Sequence, residues 1–502
     1  MSTAEYDVIV VGAGNAGLVA ALTAREAGAR VLVLEAANQE ERGGNSRFSG
    51  SIFRAVHDGL DSIRPILVDP DENILARVSV AAYTRENYIR DWMNTSQGHP
   101  PRDLVETVVD RSFATLEWMR GHGVEWELTA NKLFDLDSLD QVYALTPGGA
   151  IRVRHEGIGL VASLFAAAEA AGIDIWYDAP AADLITSGAT VEGVRVRRPD
   201  RFEEVRGTVV LACGGFEANP EMRMRYLGPG WDLVRVRGTR FNMGTMLAKA
   251  LEAGAQPTGH WGGCHASPQD AAHPPVGDLR LTDKLARYSY PYSLLVNSEG
   301  VRFVDEGEDQ VFLTYAKTGS AILRQRGAVA YQIFDRKTAH LLEPRYRTGA
   351  PIEADTLEEL ATRLGIPGDT LTATVTAFNK AVASDAELRF DPISLDGLAA
   401  RPEGQPPKSN WAITLDRAPF VAYPVTCGIT FTYGGLKIDT DARVLDVTGQ
   451  PMPGLYATGE ITGDFFHHNY AAGAGLMRGA VFGRIAGANA AGRVGEHGRV
   501  RP

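Results

Sequence analysis

The apolar positions of the N-terminal stretch fall into two patterns. Tyr6–Val11 is a short unbroken run rich in Val and Ile, which predicts a strand buried on both faces of a parallel sheet. Leu18–Ala27 is rich in Ala and Leu and closes at Gly28, which predicts a helix; Val31–Leu34 is a second apolar strand ending in Glu35. Further along, Thr208–Phe216 is an apolar strand that breaks at Gly214-Gly215, and Gly244–Gly254 is a glycine turn leading into a helix. Pro453–Glu460 reads as a strand ending in Gly459-Glu460, and Gly475–Ala491 as one Gly/Ala/Leu helix with Gly473-Ala474-Gly475 at its start. Between 319 and 385 short helical patterns alternate with breaks. Two stretches, 256–275 with its Pro, Gly and His and 399–410 with Pro-Glu-Gly-Gln-Pro-Pro, read as loops or linkers. There is no internal repeat and no long low-complexity tract.

The chain has 502 residues, which sets an expectation of two or three domains. With 44% hydrophobic and 22% charged residues it has the composition of a globular protein with a large core. The net charge of −12 is spread without a run of five like charges, which argues against a nucleic-acid partner and a polybasic anchor. The three cysteines, Cys213, Cys264 and Cys427, form no C-x-x-C pair, so haem attachment and the usual iron–sulfur spacings are excluded within the chain, and a reducing compartment is expected. The run Val8–Val11 is too short for a signal h-region, and no window reaches the ~20 apolar residues of a membrane span. The expected location is the cytoplasm.

Between the first strand and helix lies Gly12-Ala13-Gly14-Asn15-Ala16-Gly17. Gly12 permits a tight turn, Gly14 lets a pyrophosphate approach the backbone at a helix N-terminus, and Gly17 lets helix and strand pack closely. Glu35, 18 residues after Gly17, stands where a carboxylate can bind a ribose hydroxyl. Strand, glycine turn, helix, strand and acid together make a dinucleotide site, and leave FAD and NAD both open. The next turn, Arg42-Gly43-Gly44-Asn45-Ser46, offers backbone N–H groups and a hydroxyl to the rest of such a cofactor.

These motifs, with Gly214-Gly215-Phe216, Val296-Asn297-x-x-Gly300-x-Arg302-Phe303 and Leu455–Glu460, resemble the flavoproteins related to fumarate reductase and succinate dehydrogenase, over nearly the whole chain. The resemblance implies an α/β fold: a discontinuous Rossmann-like FAD-binding domain at 1–257 and 431–502, and an inserted α+β capping domain at 258–430. It implies FAD contacts by Gly12, Gly14, Asn15, Ala16, Gly17, Glu35, Ala36, Arg42, Gly43, Gly44, Asn45, Ser46, Ser49, Gly50, Ala212, Cys213, Gly214, Gly459, Glu460, Gly475 and Leu476. The helix at Gly475 would turn its positive end to reduced flavin. Some relatives tether FAD to a His in the glycine turn; here Asn45 and Ser46 stand there, so FAD is expected to be non-covalent. The electron acceptor or donor outside the chain stays open.

The substrate positions depart from fumarate reductase. Phe431 replaces a substrate His, Tyr470 replaces the second Arg, and Ser289 stands at the position of the cap Arg, with Arg287 the nearest substitute. The segment His467-His468-Asn469-Tyr470 followed by Ala-Ala-Gly-Ala-Gly resembles the loops of tricarballylate dehydrogenases and of 3-ketosteroid Δ1-dehydrogenases. The expected reaction is a CH–CH oxidation or its reverse beside a carboxylate or carbonyl, on a tricarballylate-like substrate or on a ketone; a flavin subunit that only transfers electrons is the remaining alternative. The candidate catalytic groups are Tyr470, as donor to an oxyanion or as base, one of His467 and His468, Arg287 as a carboxylate clamp, Tyr290 and Tyr433 with Tyr288 as second tyrosines, and His265 with His260 as a cap histidine. The two adjacent histidines lack a third ligand, so no metal is expected. Arg302 and Asp305-Glu306 read as structural, stabilising the junction of cap and FAD domain.

Overall fold

The computed structural model describes residues 4–130, 142–384, 386, 391 and 394–498; the outer bounds expected for the cofactor domain, 1 and 502, and residue 385 lie outside the described residues. Its larger sheet has five parallel strands: Asp174–Trp176, Val31–Leu34, Ala4–Val11, Phe202–Leu211 and Pro451–Ala457, in that spatial order. Numbered along the chain this is 3-2-1-4-5, the doubly wound Rossmann order. The hairpin Ala181–Ser187/Thr190–Arg197 and the short strand Arg443–Leu445 extend it with antiparallel pairs. Val8–Val10 and Val209–Leu211 are fully buried, as the unbroken apolar runs require. The order reverses between Ala4–Val11 and Phe202–Leu211, and a crevice opens at the carboxyl ends of those two strands, where open α/β sheets bind ligands.

Two helices cross beneath that crevice at backbone contact. The first, Asn15–Glu26, and the last, Ala474–Gly498, approach so closely that a Cβ on Gly483 would lie 2.7 Å from the Ala16 carbonyl oxygen, and one on Gly487 2.2 Å from that of Ala20. The expected helix 475–491 is thus one residue longer at its start and seven at its end. Helices Arg85–Thr95 and Arg102–Gly121 pack nearby; the Trp92 indole donates to the Phe465 carbonyl at 2.6 Å.

The second, six-stranded sheet is organised on one 17-residue strand, Phe420–Leu436. It pairs antiparallel with Pro257–Asp270, Val329–Phe334 and Ile352–Ala354, and parallel with Arg235–Val236; Leu294–Asn297 joins through Val329–Phe334. The stretch 256–275, expected as a loop, is mostly the strand Pro257–Asp270. Gly262 and Gly263 fall where the ladder is irregular, between His260 and Cys264, and Pro257 is the first residue of the strand. Helices Leu357–Leu364 and Gly368–Ala381 cover one face around Leu360, Leu371 and Phe378. Arg302 and Glu306 form a fully buried ion pair, and Arg302 also donates to the carbonyls of Pro406 and Pro407. They are structural, as expected, but they tie together loops of the second sheet's own layer rather than the junction with the first. Among the described residues no helix is long and apolar enough to cross a membrane.

Replacing a helix-interior Gly by Ala ordinarily stabilises by roughly 1 kcal/mol. At Gly487 the sign should reverse, because the added methyl meets a backbone oxygen that cannot rotate away. Gly487→Ala is expected to destabilise by about 1–3 kcal/mol, the range for overpacking, and to lower the midpoint of thermal unfolding. A raised midpoint would show that the two helices do not touch as described.

Candidate active site

One continuous cavity runs from the end of the second strand to the aromatic layer beside the second sheet. At one end stand Leu34, Glu35 and Ala36; along its floor lie Gly12–Ala16, Gly44–Ser46, Ser49–Ile52 and Ala212–Gly214; toward the other end lie Gly459, Glu460, Gly473, Gly475 and Leu476. Gly12 has φ 101°, the left-handed region, and any Cβ there would meet the Ala212 carbonyl. The helix Asn15–Glu26 starts without a side-chain cap on itself; instead Ser46 Oγ accepts the Asn15 N–H at 2.9 Å, fastening the second glycine turn to the first. The Asn15 amide donates to the Leu476 carbonyl at 2.9 Å, and its Oδ1 is buried without a partner. Glu35 is 5% exposed, and one carboxylate oxygen accepts the Ala37 N–H at 2.9 Å; burial raises its pKa above the usual carboxylate range. An acid at one end, open amides at the helix start and an orphaned buried acceptor fit an extended dinucleotide. Glu35 would hold the ribose, the Gly14 and Ala16 amides the pyrophosphate, and the Gly459–Glu460 and Gly475–Leu476 segments the far half.

Several expected cofactor residues act one step back from the cavity. Gly17 packs the helix against the first turn, since a Cβ would lie 2.0 Å from the Gly12 oxygen. Gly43, at φ 104°, leaves no room for a side chain against Val161. Arg42 turns away to Tyr177 Oη at 2.7 Å and Glu169 at 3.2 Å, its guanidinium over the Phe165 ring. Asn45 lines the cavity, but its side chain serves the protein: it donates to Glu217 and to the Thr430 carbonyl, both at 2.6 Å, and accepts the Thr239 N–H at 2.8 Å. Burial pushes the Cys213 thiol up to about 12, so it stays a neutral wall.

At the aromatic end, Tyr470, His265, Phe431, Tyr288, Tyr315 and Phe312 face the cavity. The ladder irregularity at His265/Ala266, opposite Phe431 and Ile429, turns His265 and Phe431 toward it, their rings 5.2 Å apart. The Tyr470 hydroxyl accepts the N–H of Gly473 at 2.8 Å and of Gly475 at 3.2 Å, at the start of the last helix. Burial raises its pKa, against the lowering effect of those two amides, so it is a neutral phenol. His265 is 2% exposed and its Nδ1 has no partner; burial, reinforced by the Arg237 charge, pulls its pKa well below the usual 6.5.

The other catalytic candidates lie elsewhere. Arg287 is fully buried behind the site: it pairs with Asp270 at 2.8 Å and donates to the carbonyls of Lys284, Ala286 and Arg345, so it cannot clamp a substrate. Tyr290 is spent on the Thr314 hydroxyl. Tyr433 supports the Phe431 ring from behind, with centroids 5.4 Å apart. His467 and His468 point neither way into the cavity; with His99 and His260 they form a cluster of rings 4.5–5.9 Å apart, where the His468 N–H donates to His260 Nδ1. His468 sits at φ 61°, so the strand alternation expected for the pair does not apply. The cations that do face the cavity are Arg237, Arg345 and Arg478. Asp283 bridges the first two, and Glu343 takes Arg345 Nε at 2.6 Å. Arg237 Nε is buried without a partner. Burial lowers Arg478 to about 10. No local motif marks these three; Arg237 and Arg345 are 46 and 62 residues from the Asp283 they share.

The family model described as an FAD binding domain matches residues 7–476. The chain is 28% identical to the NADH:acrylate oxidoreductase of Vibrio harveyi, over 96% of this chain but only 50% of that protein, so it spans half the length of that relative. It is 29% identical to the fumarate reductase (cytochrome) of Shewanella frigidimarina, over 97% of this chain and 77% of that one. A 3-ketosteroid delta1-dehydrogenase of Sterolibacterium denitrificans shares the fold, with a TM-score of 0.73 over 98% of this chain and 100% of that one, at 21% identity. With a cavity that fits a dinucleotide and a family match that spans both halves of the sheet, the chain belongs to the FAD-binding-domain family and is an FAD-dependent oxidoreductase.

Proposed function

We propose that the chain oxidises or reduces the carbon–carbon bond next to a carbonyl or carboxylate, and that Tyr470 holds the substrate oxygen. One observation carries this reading. A phenol oxygen has two lone pairs and one proton, and both backbone amides donate to the Tyr470 oxygen. Its own proton is therefore left for an acceptor in the cavity that Tyr470 lines. Removing a proton alpha to a carbonyl builds charge on the oxygen, and a donor already fixed by two amides stabilises that charge without reorganising.

Bound FAD supplies the two-electron exchange. The chain's own residues do the rest. Tyr470 donates to the carbonyl oxygen, and Phe431, Tyr315, Tyr288 and Phe312 keep water from the reacting carbons. His265, neutral and with Nδ1 unpartnered, takes the alpha proton in oxidation. Its depressed pKa makes the protonated ring a strong donor in the reducing direction. Such a chamber also weighs against a subunit that only relays electrons.

A polycarboxylate of the tricarballylate kind is the finer reading. Support for it comes from Arg237, Arg345 and Arg478 in the cavity, and above all from the free Arg237 Nε; the clamp role first sought at Arg287 passes to these residues. The aromatic walls favour the second reading, a ketone with a flat apolar body.

Tyr470→Phe should retain FAD and slow anaerobic flavin bleaching by the substrate about 10²–10³-fold, the loss typical of one oxyanion donor; an unchanged rate would remove Tyr470 from the chemistry. His265→Gln should cost about 10²–10⁴-fold. Because the folded protein holds His265 well below its usual 6.5, its neutral form prevails from pH 6.5 upward. The wild-type rate should therefore show no His265-dependent limb between about pH 6.5 and 8, and a limb there that vanishes in the variant would contradict this assignment. Tricarballylate, succinate and a 3-ketosteroid should be compared as donors. If the acid reading holds, Arg345→Gln raises the half-saturating acid concentration roughly ten- to hundred-fold, the loss of a hydrogen bond to a charged group. If only the steroid bleaches the flavin, and does so equally in the variant, the ketone reading stands instead.

A further inference from the structure

Two side-chain contacts fasten the second sheet to the loop that carries Tyr470. At the start of the strand Pro257–Asp270, Thr258 Oγ1 donates to the Asp464 carboxylate. Two residues on, His260 Nδ1 accepts the His468 N–H at 3.0 Å. The backbones meet closely here: a Cβ on Gly259 would lie 2.7 Å from the Asp464 nitrogen, and one on Gly463 2.5 Å from the Thr258 oxygen. Asp464 and His468 have φ of 66° and 61°. Such left-handed backbone at residues other than glycine persists only where its surroundings hold it. Tyr470 follows His468 by two residues.

The His260 contact depends on protonation. A neutral imidazole accepts at one nitrogen, whereas an imidazolium donates at both, so a proton on Nδ1 would face the His468 N–H. The ring also stands among other imidazoles. It lies 4.5 Å from that of His468 and, in parallel, 5.9 Å from that of His467. His467 is in turn 4.9 Å from His99, on the segment between helices Arg85–Thr95 and Arg102–Gly121. Burial, and then His468, His467 and His99, pull His260 down to about 4. The loop's carboxylate, Asp464, acts on His467 and is bonded to Thr258. Tyr433, opposite His260 in the ladder, is a phenol kept neutral by burial. On helix Pro220–Leu227, which packs on the same strand, Arg225 pairs with Glu221, Arg223 donates to three carbonyls, and the Tyr226 ring lies 4.6 Å from that of Trp261.

We propose that the His260–His468 contact is an acid-sensitive latch: it holds the Tyr470 loop against the second sheet at neutral pH and releases it when His260 takes a proton from solvent. The sign follows from the neutral ring being the one that accepts. His260 is held below the value of about 6.5 that it has when unfolded or released. The contact therefore contributes fully above pH 6.5, and its contribution is lost as pH falls through that value toward the folded value of about 4. Release frees the loop that leads into Tyr470, while the strand Ala4–Val11 and the helix Asn15–Glu26, which face the dinucleotide, take no part in it. The latch rests on the geometry of this seam and not on the chemical role of Tyr470.

The test is hydrogen exchange, read by mass spectrometry on the purified FAD-bound protein at pH 7 and pH 5 and corrected for the intrinsic pH dependence of amide exchange. In the wild type, protection of segment 463–470 should fall about ten- to hundred-fold at pH 5, the change expected for a histidine released from about 4 to about 6.5. The strand Ala4–Val11 should stay protected. His260→Asn offers Oδ1 in place of Nδ1 and does not titrate in this range; its segment should hold the wild-type pH 7 protection at both values. His99→Gln removes an exposed imidazole and leaves the contact in place, so it should keep the acid fall. Unchanged wild-type protection overturns the proposal without any variant. A fall that survives in His260→Asn, one that vanishes in His99→Gln, or one that Ala4–Val11 shares overturns it as well. Should His260→Asn disturb the loop already at pH 7, the wild type and His99→Gln decide alone. Tyr470→Phe should show the wild-type acid fall, so failure of the latch is distinguishable from failure of the proposed chemistry.

Discussion

The contact on which the rest depends is that between the first helix and the last. Asn15–Glu26 and Ala474–Gly498 are far apart in sequence, yet Gly483 and Gly487 bring the second against the carbonyl oxygens of the first, and the Asn15 amide reaches the Leu476 carbonyl. Both helices therefore begin at the same cavity. Helix N-termini carry partial positive charge and unsatisfied amides. One start faces the dinucleotide turn at Gly12–Gly14, and the other supplies the Gly475 N–H that fixes Tyr470. Cofactor seat and the fixed Tyr470 hydroxyl are thus two consequences of one packing arrangement, and a change that separates the helices should loosen both.

What the sequence made legible follows physical range. The dinucleotide turn is local: Gly12, Gly14, Gly17 and Glu35 act within one strand–helix–strand unit, so their spacing carries their roles. The position of Tyr470 in the cavity was legible for the same reason, since its partners Gly473 and Gly475 lie three and five residues on. Most of the differences are non-local. Arg287 is adjacent to tyrosines in sequence, but its surroundings are set by Asp270, Thr348 and the Arg345 carbonyl. Arg237 and Arg345 become a pair only through Asp283. The Pro- and Gly-rich stretch 256–275 has the composition of a loop, and a long partner strand, Phe420–Leu436, overrides that composition. His467 and His468 failed for a backbone reason, because the left-handed φ at His468 cancels the alternation from which their directions were argued.

The electrostatics of the cavity share one logic. Several buried guanidinium groups are met by a carboxylate: Asp283 lies between Arg237 and Arg345, Glu343 beside Arg345 and Asp270 beside Arg287, whereas Arg478 donates to the Thr462 carbonyl. Leaving one partner of such a pair alone would cost several kcal/mol, so the Asp283 and Glu343 pairs hold Arg237 and Arg345 at the cavity wall. Among the groups left open toward the aromatic end are the Tyr470 proton, His265 Nδ1, Arg237 Nε and Arg478 Nε.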